Sequence, residues 1–182
     1  MVMQVIGQGL EKYLSLTWDD TVVFKDSLQF LSGRLEALVA CLKKNGKDKF
    51  KVLIEAFATT TDAEGMDMLL RKGVYPYDCM NHIDRFTEQK IPPIEEFFNR
   101  LCNKPCSEAD HKYADDVWKK FHCTTMRDYH DLYLKTDVLL LADVFESFRT
   151  ATLSSLGLDP AYYVSGPQLS WDCMMKMTGC NL

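Results

Sequence analysis

Tyr133 and Asp137 stand four residues apart in the run YHDLYLKTDVLLLADVFESF, residues 129–148. At about 100° per residue this run is an amphipathic helix. One face carries Tyr129, Tyr133, Leu140, Leu141, Val144, Phe145 and Phe148. The opposite face carries Asp128, Asp131, Lys135, Glu146 and Arg149. Asp137 breaks the pattern by projecting from the apolar face, one turn after Tyr133. A carboxylate on a buried face is costly unless it is paired, hydrogen-bonded or bound to metal. Residues four apart on a helix are neighbours, with β-carbons roughly 6 Å apart. A carboxylate that holds a divalent metal beside a phenol that orients water suits metal-assisted phosphodiester cleavage. Periodicity alone leaves two other readings open. The helix can break near Thr136, with Thr136 as N-cap and Asp137 in a favourable first turn. Asp137 can also pair with a distant arginine.

The elements that must position this pair are legible in outline. Val2, Ile6, Leu10 and Leu14 have helical spacing, which predicts a helix at the start of the chain. Thr21 to Phe24 is short and β-branched, and predicts a strand paired with Leu14 to Trp18 across Asp19-Asp20. Ser32 is read as the N-cap of a helix that stops at Asn45-Gly46, with a weaker helix from Asp48 to about Phe57. Pro92 and Pro93 suit entry to a short helix. Ser107 caps a helix whose apolar face is Tyr113, Val117, Trp118 and Phe121. Thr124 or Thr125 caps the central helix, which ends near Gly157. Asp159-Pro160-Ala161-Tyr162-Tyr163 is a connector, and Gly166-Pro167 starts a last helix. The expected fold is α/β, mostly helical, with a short β-hairpin near the N-terminus.

Tyr133-Leu134-Lys135-Thr136-Asp137 resembles the Tyr-x-x-x-Asp third motif of the 3′–5′ exonuclease domain of family B DNA polymerases. The longer run YHDLYLKTDVLLLADVFE resembles the protein-primed branch, found in viruses, linear plasmids and self-synthesising transposons. GVYPYDCM, residues 73–80, and Ile91-Pro92-Pro93 with the following IEEFF resemble the same branch. The resemblance implies part of a ribonuclease H-like exonuclease domain over residues 1–158. It also implies a connector and the start of a polymerase domain over 159–182. In an intact parent, Asp137 would bind a catalytic metal, Mg²⁺, and Tyr133 would position the attacking water. Ser27-Leu28 resembles the family's Ser/Thr-Leu motif, implying contact with the 3′ single strand and the terminal protein primer. A hydroxyl for a phosphate and an apolar wedge against a frayed base would do that work. A strand end followed by a turn reads equally well there. Lys72 resembles a family Lys-x-x-hydrophobic motif and would neutralise charge at the scissile phosphate. Arg71-Lys72 also reads as a solvated pair at a helix end. His130, on the same face, reads as a partly buried, satisfied histidine.

The parent's reaction would be template-directed nucleotidyl transfer, with primer-template DNA and deoxynucleotides as partners. Two-metal cleavage needs carboxylates from several motifs around ions roughly 4 Å apart. The sequence carries no Asp-x-Glu first motif and no Asn…Phe/Tyr-Asp second motif. Asp62-Ala63-Glu64 follows three threonines and precedes a glycine, and reads as a helix start. The expectation is therefore a fragment, inactive by itself, lying between the second exonuclease motif and the polymerase domain. A mainly helical interaction domain with no chemistry of its own is the alternative.

Composition sets outer bounds. Apolar content of 47% suits a real core, and 26% charge gives no sign of long disorder. A net charge of −5 argues against a free-standing basic nucleic-acid binder. The chain has seven cysteines and no CxxC pair. Cys102, Cys106, His111, His122 and Cys123 match no zinc spacing. No signal peptide or membrane-length apolar run is visible, so reduced thiols in an intracellular protein are expected.

Overall fold

Asp19 and Asp20 both adopt positive φ, 49° and 55°. Primed hairpin turns need that backbone, and short acidic side chains tolerate it. The turn joins β2, Tyr13–Trp18, to β3, Val22–Lys25, with Ser15 opposite Lys25 and Trp18 opposite Val22. The expected hairpin is therefore present. The expected N-terminal helix is not: Met3–Gly7 is a strand, β1, antiparallel to β2, giving the sheet order β1-β2-β3. Apolar residues four apart fit a helical period, but four is also twice the strand period of two. Val5 and Ile6 then favour the strand, where β-branched side chains fit a pleated surface. Val2 and Leu10 lie outside the described residues.

The computed structural model describes residues 3–7, 13–101 and 103–180. It is mixed α and β, mostly helical, with this one small sheet among the described residues. Two compact units are present. One comprises Met1–Arg34 with Phe145–Leu182, the other Leu35–Val144. No helix among the described residues is long and apolar enough to cross a membrane.

In the second unit, α1 spans Leu35–Lys44 and stops before Gly46 at φ 119°. The residue before its first turn is Arg34, so Ser32 lies too early to cap it. A 3-10 turn and then α2, Lys51–Phe57, follow. Asp62 caps α3, Ala63–Leu69, by accepting from the Gly65 N–H, as a helix-start reading of Asp62-Ala63-Glu64 requires. Ser107 caps α4, Glu108–Lys120.

The central helix α5 runs unbroken from Met126 to Leu156. It contains no glycine or proline to interrupt it. Thr125 and Asp128 form a reciprocal cap at its start. The Asp128 carboxylate accepts from both the Thr124 and Thr125 N–H groups, and the Thr125 hydroxyl accepts from the Asp128 N–H. Those donors, the Thr124 hydroxyl first, hold the Asp128 carboxyl down at about 2. Gly157, at φ 64°, ends the helix and donates its N–H to Leu153 O. Thr136 therefore caps nothing, and the broken-helix reading of Asp137 is excluded.

The core of this unit forms where α4 and α5 meet. Phe97, Ala114, Val117, Cys123, Met126 and Tyr129 are buried together. The most deeply buried acidic side chain among the described residues is Asp143, only 2% exposed. Its two oxygens accept from the Val52 and Leu53 N–H groups at 2.8 and 3.0 Å. A side chain from the middle of α5 thus caps the start of α2, whose own N-cap residue, Phe50, supplies no side-chain cap.

In the first unit, Arg149 on α5 pairs with Asp159 through two nitrogens, at 2.9 and 2.7 Å. Asp159 also caps the 3-10 turn Pro160–Tyr162. Phe30 packs its ring against Phe145 and Phe148. The last helix, α6, spans Gly166–Thr178 and ends at Gly179 with φ 67°.

Candidate functional site

Tyr133 and Asp137 lie one turn apart on α5, and the loop after α3 closes over them. Leu70 ends α3 outside helical geometry, and residues 71–77 then run across the α5 face. Gly73 makes the closest approach. A β-carbon there would stand 2.6 Å from the Tyr133 ring, so only glycine fits without displacing it. The Gly73 N–H donates to the Asp137 carboxylate at 3.4 Å, a long hydrogen bond. Val74 O accepts from the Tyr129 hydroxyl at 2.5 Å. Tyr75 stacks on Tyr133, with ring centroids 4.7 Å apart, and its hydroxyl meets His130 Nδ1 at 2.7 Å. The Tyr77 hydroxyl is hydrogen-bonded to the Tyr133 hydroxyl. Segment 73–77 is thus the second wall of the site, a role the sequence did not reveal. The available signal was three aromatic or β-branched residues, Val74, Tyr75 and Tyr77, within Gly-Val-Tyr-Pro-Tyr.

Electrostatics keep the phenols protonated. Burial, then the Tyr77 hydroxyl, then Asp137 push the Tyr133 phenol far above its ordinary value. Burial raises Tyr75 and Tyr113 to about 12. At neutral pH, Tyr133 is therefore a donor and orienter, not a base. Asp137 is half-buried, and among the described residues no lysine or arginine pairs with it. The ion-pair reading has no partner there.

Lys72 directly precedes Gly73 and is half-buried. Its neighbour Arg71 pairs with Asp110 and lies over the Tyr113 ring, so the two cations are not an equivalent solvated pair. His130 is satisfied by Tyr75 and packs edge-on against Phe86, as a partly buried histidine should. Ser27 and Leu28 belong to the other unit. They form a 3-10 turn directly after β3, capped by Asp26, and Leu28 is 62% exposed. That geometry fits both the strand-end reading and an exposed apolar wedge.

Asp62 and Glu64 both accept from the Lys120 ammonium, at 2.9 and 2.6 Å. They line a concavity of about 1210 Å³ between α2, α3, α4 and the start of α5, and serve there as ion-pair partners. Cys102 lies outside the described residues. His111 Nε2 is 2.9 Å from Pro92 O, and Cys123 is buried in the core. Among the described residues no group of three or more His, Cys, Asp or Glu is placed to hold a metal ion. Asp137 offers one carboxylate and its neighbours are phenols and an N–H, so these residues do not by themselves fit a Mg²⁺ pair.

Thr136, between Tyr133 and Asp137, is 3% exposed and its hydroxyl has no hydrogen-bond partner among the described residues. It lines a 20 Å³ cavity with Leu69, Tyr113 and Leu132. A buried unpaired hydroxyl costs stability that an isosteric methyl does not. Thr136→Val should raise stability by up to about 1 kcal/mol. A calorimetric melt checks it, and a lower melting temperature would mean the hydroxyl is satisfied by bound water.

Compared with protein-family models, curated proteins and solved structures, the chain matches none.

Proposed function

We propose that this chain is the later part of a ribonuclease H-like 3′–5′ exonuclease domain from a protein-primed family B DNA polymerase. The observation that carries the reading is the Tyr133–Asp137 pair. A Tyr-x-x-x-Asp motif sits on an unbroken helix, with the carboxylate beside a protonated phenol and a backbone N–H. In the intact enzyme, with carboxylates supplied by the other exonuclease motifs, Asp137 would help hold Mg²⁺ and Tyr133 would orient water. Lys72 lies close in sequence to the Gly73 contact and offers a positive charge to phosphate. Ser27 and Leu28 contact the 3′ single strand and the terminal protein primer. The enzyme's substrates are primer-template DNA and deoxynucleotides.

One metal carboxylate does not build a two-metal site, so this chain is assigned no hydrolytic step of its own. Purified protein, given Mg²⁺ or Mn²⁺ and a labelled oligonucleotide, should neither extend nor degrade it. Degradation that disappears in Asp137→Ala would overturn that expectation. The parent reading is tested by the coding sequence on either side. An Asn…Phe/Tyr-Asp motif upstream and polymerase aspartates downstream are required. A second reading, a non-catalytic interaction module, is favoured by one fact: the Tyr133 hydroxyl is already held by Tyr77. An enzyme carrying the flanking motifs that edits a mismatched 3′ end equally well with and without Asp137 would select that second reading.

A further inference from the structure

A helix fixes where a tyrosine side chain starts, not where its hydroxyl ends. The Tyr133 ring still turns about its side-chain bonds, and its oxygen lies far from the backbone. A hydroxyl that orients water must be held to within about 0.5 Å by neighbours that lock its rotamer. Segment 73–77 supplies such neighbours. Tyr77 meets Tyr133 hydroxyl to hydroxyl. Tyr75 meets it ring to ring, with centroids 4.7 Å apart and planes 21° from parallel. The polar end of Tyr75 takes no part in that contact. Its hydroxyl is hydrogen-bonded to His130 Nδ1 at 2.7 Å. His130 is held in turn by Phe86, ring edge to ring face, with centroids 4.9 Å apart. Tyr75 also lies 9° from parallel to Tyr129, whose hydroxyl donates to the carbonyl just before it, Val74 O. A half-buried phenol can find a partner in many places, water included. This one is met by a side chain from the helix that carries Tyr133, three residues earlier. The clamp and the ring it serves therefore keep a fixed separation on α5.

We propose that Tyr75 and His130 are positioning residues for the Tyr133 hydroxyl. His130 clamps Tyr75 by its hydroxyl, and the clamped Tyr75 ring sets the plane and rotamer of Tyr133 beside Asp137. Neither residue touches a reacting atom; both act through Tyr133. The consequence for catalysis rests on the reading of Tyr133 and Asp137 as an exonuclease pair. The orientation of Tyr133 does not rest on it.

The test reads the Tyr133 ring resonances by NMR in the full chain with isotope-labelled tyrosine, assigned with Tyr133→Phe. A ring stacked face to face shields its neighbour, so these resonances should stand upfield of free tyrosine. His130→Leu keeps both tyrosine rings and removes the partner of the Tyr75 hydroxyl, and Tyr133 should then move toward the free value. His130→Asn places an amide oxygen near the position of Nδ1 and should restore the upfield shift. Tyr75→Phe keeps the ring, loses the hydroxyl and should reproduce His130→Leu. It is nearly isosteric, so it decides the matter if His130→Leu does not fold. An unchanged Tyr133 shift in Tyr75→Phe overturns the proposal. So does a shift lost equally in His130→Asn and His130→Leu, because the imidazole would then be needed for its shape and not for its hydrogen bond. The catalytic consequence is read in a longer enzyme carrying the other exonuclease carboxylates. There His130→Leu should lower the exonuclease kcat by up to about 100-fold, the scale of a misplaced group, with KM unchanged. Asp137→Ala in that enzyme tests the exonuclease reading separately. Editing that survives Asp137→Ala sinks that reading and leaves the orientation result standing. Editing lost in Asp137→Ala with full kcat in His130→Leu overturns the positioning role alone.

Discussion

Asp143→Ala should melt roughly 6–12 °C below the unaltered chain, from a loss of roughly 3 kcal/mol. The carboxylate is buried and spends both oxygens on the first free N–H groups of α2. Hydrogen bonds from backbone donors to a charged acceptor are worth more than neutral ones. Alanine removes both and strands two donors beside Leu53 and Phe50, which are completely buried. The loss therefore includes the cost of buried unpaired N–H groups as well as the bonds. Asp143→Asn keeps one acceptor oxygen and should recover about half of it. Hydrogen exchange at the Val52 and Leu53 amides gives the local readout, since those amides should lose protection first. Asp131→Ala is the control. That carboxylate is exposed and among the described residues makes an i,i+4 pair with Arg127, so its loss should stay within about 0.5 kcal/mol. A shift below 2 °C in Asp143→Ala would mean that α2 does not depend on this cap.

The two acidic residues on the inner side of α5 illustrate what the sequence exposes and what it hides. Asp137 was conspicuous because it interrupts a helical pattern next to a tyrosine. Asp143 was hidden by its neighbours: in LLLADVF it reads as a solvent-facing charge between apolar residues. Yet it lies three residues after Leu140 and seven after Thr136, both buried. Its burial follows from α2 arriving end-on, a contact 90 residues away in sequence that no local period encodes. Helix ends were the most legible features, because the signals are local. Ser107, Thr125 and Gly157 act where their types predict. Ser32 failed because Gly33 and Arg34 stand between it and the first helical residue, Leu35. The first strand was misread because a spacing of four satisfies both periods, and only pairing with Leu16 and Trp18 decides between them. The loop wall of the candidate site was opaque for another reason. Gly73, Tyr75 and Tyr77 acquire their roles only from Tyr133 and His130, more than 50 residues later.

Asp137→Ala should separate stability from activity. The carboxylate is half-buried, its one backbone contact is long, and no cation pairs with it among the described residues. It cannot act as a helix cap in the middle of an unbroken α5. Its loss should therefore cost little, within about 1 kcal/mol, where a broken buried ion pair would cost roughly 3–5 kcal/mol. Removing the charge beside the Tyr133 hydroxyl can even raise the melting temperature slightly. In a longer enzyme carrying the other exonuclease carboxylates, the proposed metal-ligand role requires the same change to lower 3′–5′ exonuclease turnover by orders of magnitude. Polymerisation on a matched primer should persist. Tyr133→Phe should behave more mildly in activity, since it removes a hydroxyl and leaves the carboxylate. It should cost more in stability than Asp137→Ala, because the Tyr77 hydroxyl loses its partner while the ring stays stacked on Tyr75. Thermal melts of this chain paired with exonuclease rates of the longer enzyme give both readouts. A large drop in melting temperature with normal exonuclease activity would make Asp137 a structural residue and sink its assignment as a metal ligand.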